Sequence, residues 1–236
     1  MLRKRILTAA IAVAIAAGTA VVVTTPADAT TGANVAIFVD ESRTLRVVDL
    51  APANGPTLNL FVDSFVSIKL ESSAPLFVGA GCTADADRRG KAIARCNVLA
   101  FDKTRFDLGG GNDKLSVSTF TPVEVFAGTG NDTINLNAAA AAGNQIFGEQ
   151  GIDIIATTVA ATIDGGTEGD TITGSNKPDD ITGGHGQDTI TGGQGNDTIR
   201  VKGDNVIDDV NCGAPVQDRI SMDSFDRVRN CEIQIL

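Results

Sequence analysis

Gly183-Gly184-His185-Gly186-Gln187-Asp188-Thr189-Ile190-Thr191 runs without a gap into Gly192-Gly193-Gln194-Gly195-Asn196-Asp197-Thr198-Ile199-Arg200. Both stretches read G-G-x-G-x-D-x-U-x with U apolar, and two tandem copies of a pattern with five constraints are hard to obtain by chance. The spacing has a mechanism. Glycines permit a tight turn with backbone carbonyls facing inward, and Asp adds a carboxylate. The x-U-x triplet then forms a short strand whose middle side chain enters a core. Turns of this kind offer oxygen-only sites for a hard cation, of which calcium is the usual occupant.

Degenerate copies extend the pattern upstream. The apolar strand centres read Leu115, Val125, Ile134, Ile146, Ile155, Ile163, Ile172, Ile181, Ile190, Ile199 and Ile207, and most steps are eight to ten residues. The turns before them end in Asp113, Asp132, Asp153, Asp170 and Asp179. Residues 98–210 therefore read as one solenoid.

These motifs resemble the RTX, or hemolysin-type, calcium-binding repeat. The resemblance implies a right-handed parallel β-roll with calcium held between turns. Carried onto this chain, it makes Asp113 and Asp132 candidate ligands, then Gly148 with Asp153, Gly165 with Asp170, and Gly174 with Asp179. Gly183, Gly184 and Gly186 go with Asp188, and Gly192, Gly193 and Gly195 with Asp197. The likeness to secreted bacterial calcium-binding proteins extends further: an N-terminal signal, a β leader containing Gly79-Ala80-Gly81-Cys82-Thr83, the repeats, and a closing Cys pair.

Composition agrees with a solenoid. Of 236 residues 26 are Gly, aromatics are 4% without Trp or Tyr, and the net charge is −10. An acidic chain without a basic surface is not expected to bind nucleic acid. Length implies no large globular core, because each coil of a repeat array contacts only its neighbours.

Arg3-Lys4-Arg5, the apolar run Ile6 to Val23, and Ala27-Asp28-Ala29 read as a secretory signal cut after Ala29, so that residues 1–29 are the only part expected to meet a membrane. Removing them takes three of 19 basic and one of 29 acidic residues, leaving a net charge of −12. An exported chain permits disulfides among Cys82, Cys96, Cys212 and Cys231. Three connectivities are possible, and Cys82 with Cys96 and Cys212 with Cys231 is favoured because each pair brackets a local element. The 19-residue spacing of the second pair is close to one coil, which predicts a bridge between neighbouring rungs.

Residues 30–97 alternate apolar and polar in short runs and are expected to form a β leader that caps the first coil. Residues 211–236 keep D-x-U spacing at Asp218-Arg219-Ile220 and Asp226-Arg227-Val228 without the glycines, so they read as a degenerate terminal coil. There Arg219 and Arg227 are expected to neutralise the neighbouring Asp and leave no cation site.

In a two-stranded roll successive turns fall on opposite edges. Asp113, Asp132, Asp153, Asp170 and Asp188 are expected on one edge, with Asp204 as the final member, and Asp179 and Asp197 on the other. His185 is expected to face solvent. Neither G-x-S-x-G nor H-E-x-x-H occurs, and the function expected is non-enzymatic calcium binding outside the cell. Two other classes carry a sequence feature: a polysaccharide-cleaving β-helix through the adjacent Asp179-Asp180, and an adhesive or ice-binding surface through Thr129 and Asn131. No macromolecular partner is legible.

Overall fold

The structure is a computed structural model and describes residues 10–12, 22–24, 35–40, 42–49, 57–64, 67–72, 76–78, 82–86, 92–97, 102–137, 142–201, 203–213 and 217–234. Residues 1–32 and 33–236 form separate compact units. In the first, Ala10–Ala12 and Val22–Thr24 pair antiparallel. The expected cleavage after Ala29 lies outside the described residues. Among the described residues no helix is long and apolar enough to cross a membrane.

The second unit is an all-β parallel solenoid. Successive strands alternate between two sheets. One sheet stacks Lys103–Asp107, Val123–Phe126, Asn144–Phe147, Ala161–Thr167, Asp180–His185, Thr198–Arg200 and Arg219–Ser221. The other stacks Lys114–Val117, Thr133–Leu136, Ile154–Thr157, Thr171–Thr173, Thr189–Gly193, Asp209–Gly213 and Arg227–Arg229. The middle residue of each x-U-x triplet sets the register. Val125, Ile146, Ile163, Ile181, Ile199 and Ile220 stack in one column, and Leu115, Ile134, Ile155, Ile172, Ile190 and Val210 in the other. All are at most 1% exposed. Each such side chain contributes roughly 1.5–3 kcal/mol by leaving water, so the core is two facing apolar columns rather than a globular interior.

Two details differ from the sequence reading. Ile207 is 39% exposed in its turn, and Val210 takes the strand centre instead, because this turn is longer than the nonapeptide allows. Phe106 is fully buried in Lys103–Asp107 with no glycine turn to announce it.

Beyond the repeats the stack continues. Thr44–Asp49 pairs parallel with Lys103–Asp107, and Thr57–Ser64 pairs parallel with Lys114–Val117. Then the pairing changes hand. Val35–Val39 lies antiparallel on Thr44–Asp49, and Ser67–Ser72, Ala92–Asn97 and Cys82–Ala86 follow one another antiparallel on the other sheet. These hairpin-like pairs cover the parallel edge that a bare coil would expose. Cys82 sits directly opposite Cys96 and is bonded to it, with the Cα atoms 4.1 Å apart. At the other end Cys212 is bonded to Cys231 across neighbouring rungs, with the Cα atoms 5.1 Å apart.

Candidate metal centre

Each edge of the solenoid carries a ladder in which one carboxylate holds the turn of the preceding coil. On the first edge the N–H of Asp113 donates to Oδ1 of Asp132 at 2.7 Å, and Asp132 donates likewise to Asp153 at 2.7 Å. The series continues from Asp153 to Asp170, Asp170 to Asp188 and Asp188 to Asp208, each at 2.8 Å, and ends from Asp208 to Asp226 at 3.1 Å. The sixth rung is thus Asp208 and not Asp204. Asp204 lies in the turn and accepts from the N–H of Gly186 and of Val206. Two inserted residues before Asp208 displaced it from the nonapeptide count.

On the second edge the ladder begins with an amide. The N–H of Val123 donates to Asn144 Oδ1 at 3.1 Å, then that of Ala161 to Asp179 at 2.8 Å, Asp179 to Asp197 at 2.9 Å and Asp197 to Asp218 at 2.9 Å. Carboxylates therefore line the first edge over most of its length and the second only toward its C-terminal end, in the pattern that turn parity predicts.

The other carboxylate oxygen is the informative one. Oδ2 of Asp132, Asp153, Asp170, Asp188, Asp197 and Asp218 is buried and accepts no hydrogen bond. Leaving a buried acceptor unsatisfied costs about 1–3 kcal/mol, and more for a charged group. Repeated along two edges, such oxygens suit an electropositive partner.

The first glycine of a turn makes room for one. A methyl group at Gly148 would strike both Asp153 Oδ2 and the carbonyl oxygen of Gly165, and one at Gly165 would strike Asp170 Oδ2 and the carbonyl oxygen of Gly183. At Gly174 the two oxygens are Asp179 Oδ2 and the carbonyl of Gly192. A carboxylate oxygen of one turn and a main-chain oxygen of the next thus converge on the space that glycine leaves empty. Such a hollow fits an oxygen-seeking cation. Among the described residues no three His, Cys, Asp or Glu side chains converge, so the donor set draws on carbonyls.

The hollows differ. Asp179 Oδ2 already accepts from the N–H of Ser175 at 2.7 Å and from its hydroxyl at 2.9 Å, because serine stands where the clean repeats have their second glycine. At Gly183 the hollow faces Asp188 Oδ2 and, at 3.2 Å, a methyl of Val201. In the turns of Asp113 and Asp132 the first position holds Leu108 and Ala127, both fully buried.

Burial pushes these carboxyls up: Asp132, Asp188 and Asp197 to about 6, and Asp153, Asp170 and Asp208 to about 7. The hydrogen bond from the preceding N–H opposes that rise, and neighbouring carboxylates add to it for Asp153, Asp170, Asp188, Asp197 and Asp208. Burial also raises Asp179 and Asp218.

Arginine does not relieve the last turns. Arg219 is exposed while Asp218 Oδ2 stays buried without a partner. The arginines that do pair bridge rungs on the outside, Arg200 with Asp180 and Arg229 with Asp209. His185 is exposed as expected.

Searches of curated proteins and of solved structures found no match. A family model of the RTX calcium-binding nonapeptide repeat matches residues 164–199 in four copies. That span contains the turns Gly165–Asp170, Gly174–Asp179, Gly183–Asp188 and Gly192–Asp197, two on each edge. Residues 164–199 are therefore RTX calcium-binding nonapeptide repeats, and the ion that such repeats bind is calcium.

Proposed function

We propose that this is a secreted, non-enzymatic protein whose solenoid is completed by calcium, with the first-edge sites formed by Asp153 Oδ2 facing the Gly165 carbonyl and Asp170 Oδ2 facing the Gly183 carbonyl. The observation that carries this reading is the coincidence, at one glycine-made hollow, of a buried carboxylate oxygen without a partner and a main-chain carbonyl of the next coil. Bound calcium supplies the positive charge that a stack of buried carboxylates lacks. The glycines keep the hollow open, and Oδ1 of each Asp locks the turn above. Because both oxygens of a site come from different coils, the site exists only after the coils stack, and binding free energy becomes folding free energy. Asp179 is a weaker ligand, since a cation there competes with both Ser175 donors. Asp188 enters through its turn, by way of the Gly183 carbonyl and its Oδ1.

Export is supported by two disulfides and by the charged and apolar N-terminus. A glycosidase-like role finds no support in Asp179 and Asp180. The first carboxylate is buried in its turn and the second points outward to Arg200. An ice-binding face is likewise unsupported, because the stacked third positions of the turns are Gly110, Thr129, Gln150, Thr167 and His185, a mixed row. The side chains of Asn112 and Asn131 are also taken up by the N–H groups of Asn131 and Ile152.

Circular dichroism and limited proteolysis of the chain from residue 30, with calcium and with a chelator, alongside an ion count, test the reading. Calcium should raise β signal and protease resistance, with magnesium a poor substitute. A chelated sample as ordered as the calcium form would sink it.

A further inference from the structure

We propose that the second edge, around Gly143, is the contact through which two copies of this chain associate about a two-fold axis. Each copy offers a knob and a groove there. The knob is Phe120, at 60% exposure the barest large apolar side chain among the described residues. Its turn is pinned. Thr119 is buried and its hydroxyl accepts from the N–H of Thr121 at 3.3 Å, while the hydroxyls of Thr104 and Thr121 lie 3.0 Å apart. The Pro122 carbonyl accepts from the N–H of Thr104 at 2.9 Å.

The groove lies two coils further on. Only three residues, 158–160, join Ile154–Thr157 to Ala161–Thr167, whereas seven join Thr133–Leu136 to Asn144–Phe147 and six join Thr171–Thr173 to Asp180–His185. The edge is therefore indented at the short turn. The indentation is a groove of about 340 Å³ with Ala142, Gly143, Ala160, Ala161 and Pro178 along it. An apolar ring suits a hollow walled by alanine, glycine and proline, but the two lie side by side on one edge and cannot meet within one molecule.

Register makes the surface self-complementary. Continued back from the paired strands, it places Lys103, Pro122, Gly143, Ala160 and Pro178 in one column. A two-fold axis beside Gly143 reverses that column, so each copy's Phe120 faces the other's Ala160, as an isologous contact requires. The same reversal sets the rung of Asp102 against the rung of Lys177. Asp102 has a side chain 70% exposed and Lys177 is exposed, so each end of the contact brings opposite charges together. Between those ends residues 118–122, 142–143 and 158–160 carry no charge. The chain as a whole has a net charge of −10, and its other edge holds a row of carboxylates. Two such chains repel through most of their surface, and this stretch is where they can approach. The rungs from Asp102 to Lys177 span about 20 Å at about 4.8 Å each. That is toward the small end of specific interfaces, so the dimer is reversible.

Sedimentation velocity on the chain from residue 30, whose solenoid lies in a compact unit of its own, measures the dimer constant in saturating calcium. Phe120→Ser trims an exposed ring and should weaken the dimer by about 10-fold or more, as loss of a central aromatic anchor does. Ala160→Glu should do the same from the groove side. Lys177→Asp should weaken it a few-fold, and adding Asp102→Lys should restore it, because the signs are then exchanged across the axis. Ala142→Cys, next to the axis, should give a covalent dimer under mild oxidation, and Thr171→Cys, on an exposed position of the other sheet, should not. A chain that stays monomeric up to its solubility limit overturns the proposal, as does a dimer indifferent to both Phe120→Ser and Ala160→Glu. A dimer that needs Phe120 but neither answers to the charge exchange nor crosslinks through Ala142→Cys overturns the two-fold arrangement.

Discussion

The N–H of Asp170 donates to Oδ1 of Asp188 on the next coil at 2.8 Å, while Asp170's own Oδ1 accepts from Asp153. Asp170 thus uses one oxygen to hold the stack, while its Oδ2 accepts no hydrogen bond. The two oxygens are separable by mutation. Asp170→Asn retains the acceptor for Asp153 but turns an N–H toward the Gly183 carbonyl. It should cost one calcium equivalent. In chelator at neutral pH the same variant should be more stable than wild type by about 1–3 kcal/mol, because an unsatisfied buried acceptor is gone. Ion counts and thermal melts in chelator check both halves, and an unchanged count would remove Asp170 from the site.

Metal-free stability should fall as pH rises. The folded-state values of Asp132, Asp153, Asp170, Asp188, Asp197 and Asp208 lie at about 6 to 7, above the ordinary 3.8. A raised carboxyl binds its proton more tightly when folded, so its contribution is fully present below about pH 4 and is lost as pH passes 6 to 7. Melting temperatures in chelator should therefore drop between pH 4.5 and 7.5. Calcium, which takes the ionised form, should release protons when added at pH 6, measurable by the dependence of binding heat on buffer. A metal-free melting point that rises over this range would contradict the assignment.

Filling a hollow should be worse than trimming the surface. Gly165→Ala places a methyl against Asp170 Oδ2 and the Gly183 carbonyl, and overpacking of this kind costs about 1–3 kcal/mol before any loss of calcium. Thr173→Ala, on an exposed outward position of Thr171–Thr173, should stay within about 0.5 kcal/mol. Melts of both variants in saturating calcium test the contrast.

Reduction should loosen the C-terminal end before the rest. Closing a loop of the length between Cys212 and Cys231 is worth roughly 3 kcal/mol in the chain-entropy picture. Hydrogen exchange in calcium should show lost protection first in Arg219–Ser221 and Arg227–Arg229, with Thr171–Thr173 and Asp180–His185 unaffected. Uniform loss along the solenoid would show that the staple acts globally.

The nonapeptide pattern alone determines the class of fold, the ten buried strand centres from Leu115 to Ile199, the alternation of edges and the row of Asp153, Asp170 and Asp188, because these follow from local rules: glycine at turns, one apolar residue per triplet, and a fixed period. Spacing also suffices for the Cys212–Cys231 rung. Only the tertiary structure decides which oxygen faces which. Ser175 meets Asp179 within a single turn, but that Asp208 rather than Asp204 continues the first edge, and that Val201 faces the hollow at Gly183 while the Cys212 carbonyl faces the one at Gly192, depend on contacts between residues about one coil apart. There an insertion of two or three residues shifts the partner without leaving a mark on the local pattern. Phe106 and the strands Thr44–Asp49 and Thr57–Ser64 escape the pattern for the same reason: they join the stack through long-range register, not through a glycine turn of their own.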